Sequence, residues 1–102
     1  MLEIRPNCEC CDKDLPADAP DAMICTYECT FCKTCVEEIL QNVCPNCGGG
    51  FCPRPIRPKE ARRPGLSVRH QMPSQKKVNT TYTIEQLRDF AESIKHLKPE
   101  ER

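Results

Sequence analysis

Eight of the ten cysteines in this chain of 102 residues form four closely spaced pairs. The pairs are Cys8 and Cys11, Cys25 and Cys29, Cys32 and Cys35, and Cys44 and Cys47. Such spacing places two thiolates around one metal ion, and four thiolates complete the tetrahedral shell of a structural zinc site. The eight cysteines therefore predict two Zn²⁺ ions as cofactors, each bound by four thiolates.

Disulfide bonds are the alternative use of so many cysteines in a short chain. The opening Met-Leu-Glu-Ile-Arg-Pro has no apolar core of a signal peptide, and no apolar run is long enough to span a membrane. The sequence therefore favours zinc over disulfides, and a reducing, cytoplasmic location. A shell of four thiolates leaves no position for water, so both sites are expected to be structural and no catalytic residue is predicted.

The cysteine-rich segment, residues 1–52, is too short to bury a large apolar core, so metal ions are expected to stabilise its fold. Residues 22–27 alternate as in a β-strand, and apolar residues in 33–43 recur with helical spacing. Pro45 is expected to end that helix. The predicted fold class is a small metal-stabilised α+β domain with a short β-hairpin and one helix.

The order of the cysteine pairs resembles that of RING-type zinc domains, which belong to the treble-clef group. Phe31 before the third pair and Pro45 within the fourth stand where RING domains commonly place such residues. The resemblance implies a cross-brace, in which the first pair shares a metal ion with the third, and the second with the fourth. The sites so predicted are Cys8, Cys11, Cys32 and Cys35 for site one, and Cys25, Cys29, Cys44 and Cys47 for site two. Sequential pairing, first with second and third with fourth, is the alternative.

The whole chain is also similar to a family of short, cysteine-rich bacterial proteins of uncharacterised function. The likeness lies in the opening Leu-Glu-Ile-Arg-Pro-Asn-Cys-Glu-Cys-Cys, the central Glu-Cys-Thr-Phe-Cys, and Cys-Pro-Asn-Cys-Gly-Gly. It implies a cytoplasmic RING-like zinc protein and implies no activity.

Two cysteines, Cys10 and Cys52, lie outside the four pairs. Cys10 competes with Cys11 as a ligand, and the spacing from Cys8 favours Cys11. Cys52 has no partner at this spacing. Both are interpreted as free thiols, and a redox-sensing role or a third metal site is the alternative.

Residues 53–81 are rich in proline and basic side chains, and they predict a flexible linker. Residues 1–52 carry three basic and nine acidic side chains, whereas residues 53–79 carry eight basic and one acidic. The basic side chains that nucleic acid would contact are Arg54, Arg57, Lys59, Arg62, Arg63, Arg69, Lys76 and Lys77. No aromatic residue lies among them to stack on bases, so only weak binding is expected.

Residues 82–98 predict an amphipathic helix that begins with a capping box formed by Thr83 and Gln86. Its apolar stripe comprises Ile84, Leu87, Phe90, Ala91, Ile94 and Leu97. A lone helix of this length is marginal in water. The stripe is therefore expected to contact the cysteine-rich head, a second copy, or another protein.

The sequence as a whole predicts a non-catalytic zinc-binding module that interacts with protein, through the 82–98 helix or by self-association, and with no membrane. Nucleic-acid binding through the basic linker is the alternative. A ubiquitin-ligase-like activity is disfavoured because Glu9 rather than an aliphatic residue follows Cys8, Gly48 follows Cys47, and the chain has no Trp.

Overall fold

The computed structural model describes residues 1–102, and its head carries a three-stranded antiparallel sheet. The strands are β1 (Ala22–Ile24), β2 (Thr30–Cys32) and β3 (Cys52–Pro53), in the order β2-β1-β3. The pairing of β1 with β2 confirms the predicted hairpin. The sheet gains a third strand because the chain returns after the last cysteine pair and places Cys52 opposite Ile24.

The helix of the head is shorter than the sequence predicts. It begins as α1 (Lys33–Cys35) and continues as a π-helical segment (Val36–Leu40). The predicted extension to residue 43 is wrong, because Gln41 and Asn42 adopt left-handed φ angles of 48° and 60°. Left-handed residues end a helix, and here they reverse the chain so that Val43 and Cys44 become buried beneath it.

The tail forms α2 (Ile84–Ile94), followed by a single 3₁₀ turn (Pro99–Glu101). Its capping box is confirmed: the Gln86 amide donates to Thr83 Oγ1 at 3.1 Å, and the Thr83 amide donates to Gln86 Oε1 at 2.9 Å. Buried Leu87 and Ala91 face the π-helical segment. This buried part of the stripe therefore packs on the head, which is one of the three surfaces expected for it, whereas Ile84 and Phe90 remain exposed.

The core of the head combines cysteine side chains with a few apolar residues. Leu15, Phe31 and Leu40 are fully buried, and the Phe31 ring meets that of Phe51 edge to face at a centroid distance of 5.4 Å. Leu87 from the tail belongs to the same cluster. The head and the tail helix thus share one core.

The segment between head and tail contacts the head along its course. The Ser74 amide donates to the Ile4 carbonyl at 2.9 Å, and the Thr80 amide donates to the Glu9 carbonyl at 2.7 Å. No helix in the protein has the length and apolar character needed to cross a membrane. The division of the chain at residues 52 and 81, and the flexibility of the segment between them, stay predictions.

Arg54 is buried, which corrects its prediction as a contact for nucleic acid. Only 4% of the residue is exposed, and its guanidinium donates to the carbonyls of Arg5, Leu15 and Pro16 at 2.8, 3.2 and 2.8 Å. Burial lowers the pKa of Arg54, although the charge of Asp21 opposes that change. The side chain ties the start of the basic segment to the head and is inaccessible to a phosphate.

Candidate metal centre

Site one brings together the first and third cysteine pairs. The sulfurs of Cys8, Cys11, Cys32 and Cys35 all lie within 4.8 Å of one another. The distance from Cys11 Sγ to Cys32 Sγ is 3.8 Å. A tetrahedral ion with metal–sulfur bonds of about 2.3 Å separates its sulfurs by about 3.8 Å. These four side chains therefore fit a tetrahedral metal ion, in the cross-brace order rather than the sequential one.

A disulfide does not account for this cluster. Bonded sulfurs lie about 2.05 Å apart, far closer than Cys11 and Cys32, and all ten cysteines carry free thiols. The sulfurs are thus grouped without being bonded to one another, which is the geometry of a metal site.

Tight turns and backbone amides orient the sulfurs of site one. The Cys11 amide donates to Cys8 Sγ at 3.5 Å, and Asp12 closes the turn with a left-handed φ of 64°. Cys32 immediately precedes α1, and Cys35 is the last residue of that helix, so one turn carries both cysteines of the third pair. Amides directed at thiolate sulfurs spread their negative charge and fix their direction.

Site two brings together members of the second and fourth pairs. The sulfurs of Cys25, Cys44 and Cys47 lie within 4.8 Å of one another. Gly48 has a φ of 79°, and the following amide, that of Gly49, donates to Cys47 Sγ at 3.4 Å. The positive φ of Gly48 thus turns a backbone amide toward a sulfur.

Cys29, the fourth predicted ligand of site two, stands slightly apart from the other three. Its sulfur does not belong to the 4.8 Å group and accepts from Asn46 Nδ2 at 3.4 Å. A tight turn nevertheless holds Cys29 beside Cys25, because the Cys25 amide donates to the Cys29 carbonyl at 3.2 Å. Coordination of a metal by Cys29 stays a prediction.

The two unpaired cysteines lie near the clusters without joining them. Cys10 packs against the core, and its thiol neighbours that of Cys35. Cys52 is exposed on β3, the strand that adds to β1 beside site two. Neither residue belongs to the grouped sulfurs, which agrees with the choice of Cys11 over Cys10 from spacing.

Burial changes the acidity of the clustered thiols. It strongly raises the pKa of both Cys35 and Cys44 in the metal-free protein. At Cys11 burial also acts to raise the pKa, but hydrogen bonds from the Lys13 amide and from the Cys8 and Cys32 thiols outweigh it and lower that pKa. The thiols of Cys35 and Cys44 therefore hold their protons more tightly without metal, and a cation that binds them must displace those protons.

Sequence reasoning missed the buried carboxylate that joins the halves of site one. Glu9 is 2% exposed, and it accepts from the Thr30 amide at 2.6 Å and from Arg5 Nη1 at 2.9 Å. The Glu9 amide in turn donates to the Thr30 carbonyl at 3.0 Å. These bonds hold the first cysteine pair against the strand that leads to the third. No local pattern reveals this role, since glutamate between cysteines usually faces solvent.

Asn7 is a second buried polar residue that the sequence did not reveal. Its side-chain amide donates to the Cys8 carbonyl at 3.2 Å and to the Val78 carbonyl at 3.0 Å. The Val78 amide donates back to Asn7 Oδ1 at 3.3 Å. Asn7 therefore links the first turn of site one to the end of the basic segment.

The fold and the sulfur clusters define a small, cysteine-rich α+β domain whose clustered thiols could hold metal ions. Within that class, the chain belongs to the family described as "Protein of unknown function (DUF1272)", whose model matches residues 1–57. The chain is similar to an uncharacterized protein, R02474, of Rhizobium meliloti (strain 1021), with 66% identity over 58 residues. That match covers 57% of this chain and 69% of the relative. No solved structure matches the chain.

These findings confirm the resemblance to an uncharacterised bacterial family. The matched residues include all eight paired cysteines, so the candidate metal centre lies within the family's shared segment. The tail helix lies outside it. The family description names no activity, substrate or partner.

Proposed function

We propose that this protein is a non-catalytic domain, stabilised by two zinc ions, that binds another protein through an apolar cleft beside its tail helix. Tetrahedral sulfur sites suit zinc or iron, and the short turns on which these cysteines lie are typical of structural zinc. Cys25, Cys44 and Cys47, with Cys29, would hold the second ion. Bound zinc supplies folding energy by cross-linking distant parts of the chain.

The closed shell of site one supports a structural rather than a catalytic ion. Four sulfurs leave no position on the metal for water or substrate. The one serine–histidine contact also has a structural explanation. Ser67 Oγ lies 2.7 Å from His70 Nδ1, but it is buried and accepts the Arg69 amide at 3.1 Å, which stabilises a turn.

The cleft is the observation that carries the binding proposal. It has a volume of about 230 Å³ and is lined by Pro45, Tyr82, Gln86, Leu87 and Phe90. Tyr82 and Phe90 remain 48% and 38% exposed although they flank buried Leu87. Aromatic side chains around a small apolar cleft are typical anchors for a partner's apolar residue.

A comparison of captured proteins tests this proposal. Tagged wild-type protein and the Tyr82→Ser/Phe90→Ser variant are incubated with extract of the native organism, and captured proteins are quantified by mass spectrometry. The matched control is Glu85→Gln/Asp89→Asn, which alters exposed polar residues of the same helix. We expect a partner that is lost with the aromatic variant, is retained by the control, and binds again as a purified protein.

Native mass spectrometry tests the zinc assignment separately. We expect two zinc ions per chain. On acidification both ions should be released, and the narrow charge-state distribution of the folded protein should be lost at the same time. Zero zinc with the mass deficit of disulfides would overturn the metal assignment. Equal capture by the wild type and the aromatic variant would overturn the role of the cleft.

A further inference from the structure

Residues 55–72 form an exposed basic lobe that the zinc centre and the tail cleft do not use. It contains five basic side chains and one acidic one. Lys59, Arg62, Arg63 and Arg69 are exposed and form no ion pair with any carboxylate. Unpaired, solvent-exposed cations at this density favour an anionic partner.

The tip of the basic lobe is a tight turn with an apolar residue beside two arginines. The Leu66 amide donates to the Arg63 carbonyl at 3.3 Å, and Gly65 adopts a φ of 78°. Pro64 and Gly65 are the residue types of a type II turn, which holds the α-carbons of Arg63 and Leu66 within about 7 Å. Leu66 is 57% exposed, so this turn presents an apolar residue close in the chain to the exposed Arg62 and Arg63.

A second exposed apolar residue lies next to this tip. The Gln71 side chain donates to the Gly65 carbonyl at 2.8 Å, and the Gln71 amide donates to the Ser67 carbonyl at 2.9 Å. Met72 follows directly and is 70% exposed. The segment around the tip therefore exposes two apolar side chains, Leu66 and Met72, outside the apolar core.

The lobe is attached to the head rather than extended away from it. Within the lobe, the Val68 amide donates to the Pro58 carbonyl at 2.9 Å, and Ser67 is buried. Arg57, the one partly buried cation of the lobe, donates to the Gln71 carbonyl and to the Leu2 carbonyl. A partner would therefore meet a preformed tip and lose less conformational entropy on binding.

We propose that the basic lobe docks this protein on an anionic membrane surface, with Leu66 and Met72 inserted at the level of the headgroups. Cations beside a lipid surface attract acidic headgroups, and exposed apolar side chains gain free energy by entering the interface. Nucleic acid would use the same cations, but it offers no apolar environment for Leu66 and Met72. The basic segment also lacks the aromatic residues that stack on bases.

This docking is peripheral, so it needs no membrane-spanning helix. It departs from the expectation of no membrane partner, which rested on the lack of a spanning segment. The lobe and the tail cleft have no lining residue in common. Membrane docking and partner binding can therefore fail independently in experiments.

A tryptophan introduced at the tip tests the insertion. The chain has no Trp, so Leu66→Trp supplies a single tryptophan, which is excited selectively over the two tyrosines. The zinc-loaded, full-length variant is titrated with vesicles of phosphatidylcholine containing about 30% phosphatidylserine, and with vesicles of phosphatidylcholine alone. The matched control is Tyr27→Trp, at an exposed position in the turn of the second cysteine pair. We expect a blue shift for Leu66→Trp with anionic vesicles and none for the control.

Vesicle co-sedimentation measures the contribution of each group. Arg62→Gln/Arg63→Gln should weaken partitioning about 25-fold, because each cation near an anionic surface contributes about fivefold. Leu66→Ser should weaken it about tenfold. The control Lys33→Gln/Lys95→Gln removes the same charge from exposed positions elsewhere and should change partitioning less than about twofold. Circular dichroism and zinc content verify that each variant remains folded.

Three results would overturn the proposal. One is the absence of both fluorescence change and sedimentation at low salt. The second is an equal loss of vesicle partitioning in Arg62→Gln/Arg63→Gln and in the control Lys33→Gln/Lys95→Gln, which would mean that only the net charge of the protein matters. The third is binding of single-stranded DNA that is stronger than vesicle binding and unchanged by Leu66→Ser, which would assign the lobe to nucleic acid.

Discussion

Replacing Leu87 by alanine should destabilise the whole protein, although Leu87 lies far along the chain from the cysteines. Leu87 is 1% exposed, and it shares a core cluster with Val36 and Leu40 of the head. Truncating a fully buried leucine costs between about 2 and 5 kcal/mol, from lost burial and the cavity that remains. We expect about 3 kcal/mol for Leu87→Ala, or more than a hundredfold in the unfolding equilibrium. Helix propensity cannot cause the loss, since alanine is the better helix former.

The assay is urea unfolding at a fixed, saturating concentration of free zinc, followed by far-ultraviolet circular dichroism. Saturating zinc is necessary because metal release otherwise contributes to the measured stability. Ile84→Ala is the matched control, because Ile84 belongs to the same apolar stripe but is 47% exposed. Its cost should stay below about 1 kcal/mol.

Amide hydrogen exchange distinguishes global from local effects of the same variant. If head and tail share one core, exchange should accelerate both in α2 and around Val36 and Leu40. A change below about 0.5 kcal/mol for Leu87→Ala, or faster exchange confined to α2, would refute the shared core. The tail helix would then be a detachable element.

Further predictions concern the metal centre and its support. A strong chelator should abolish the circular dichroism signal of the head, and zinc should restore it, because metal binding supplies folding energy. Glu9→Gln should cost roughly 1–3 kcal/mol in urea unfolding, since it leaves Arg5 without its buried partner. Glu3→Gln, which removes an exposed carboxylate 3.6 Å from Arg5, should cost under about 0.5 kcal/mol, and equal costs would contradict this role of Glu9. Zinc affinity, measured against a competing chelator, should fall as pH falls. Burial raises the pKa of Cys35 and Cys44, so protons compete with zinc for these sulfurs below the raised pKa. An affinity that does not change with pH would exclude thiolate ligands. Cys11→Ser should remove one zinc ion from the native mass spectrum while Cys10→Ser should remove none, and the reverse would exchange their roles.

Features that depend on neighbours in the chain were predictable from the sequence. The short spacing of the cysteines determines that each turn can present two sulfurs to one side. The Thr83–Gln86 capping box is equally local, and it forms as predicted. The β1–β2 hairpin follows from alternating residues beside a turn. In each case, all the interacting groups lie within about ten residues of one another.

Features that join distant segments required the tertiary structure. The spacing permits both cross-brace and sequential pairing, and only the folded chain places Cys11 Sγ 3.8 Å from Cys32 Sγ. The apolar pattern of the sequence continues to Val43, but Gln41 and Asn42 adopt left-handed φ angles and end the helix before it. The chain turns back at this point and buries Cys44. Glu9 and Arg54 have side chains that usually meet water, and their burial depends on partners supplied by other segments.

The sequence by itself thus determined which atoms can bind metal, which residues start the tail helix, and which stripe that helix presents. The tertiary structure decided which sulfurs meet, which charges are buried, and which surface covers Leu87. The physical reason is that spacing and capping act within a turn of backbone. The pairing of sulfurs and the burial of charge depend instead on long-range contacts, whose free energy is gained only once the whole chain has folded.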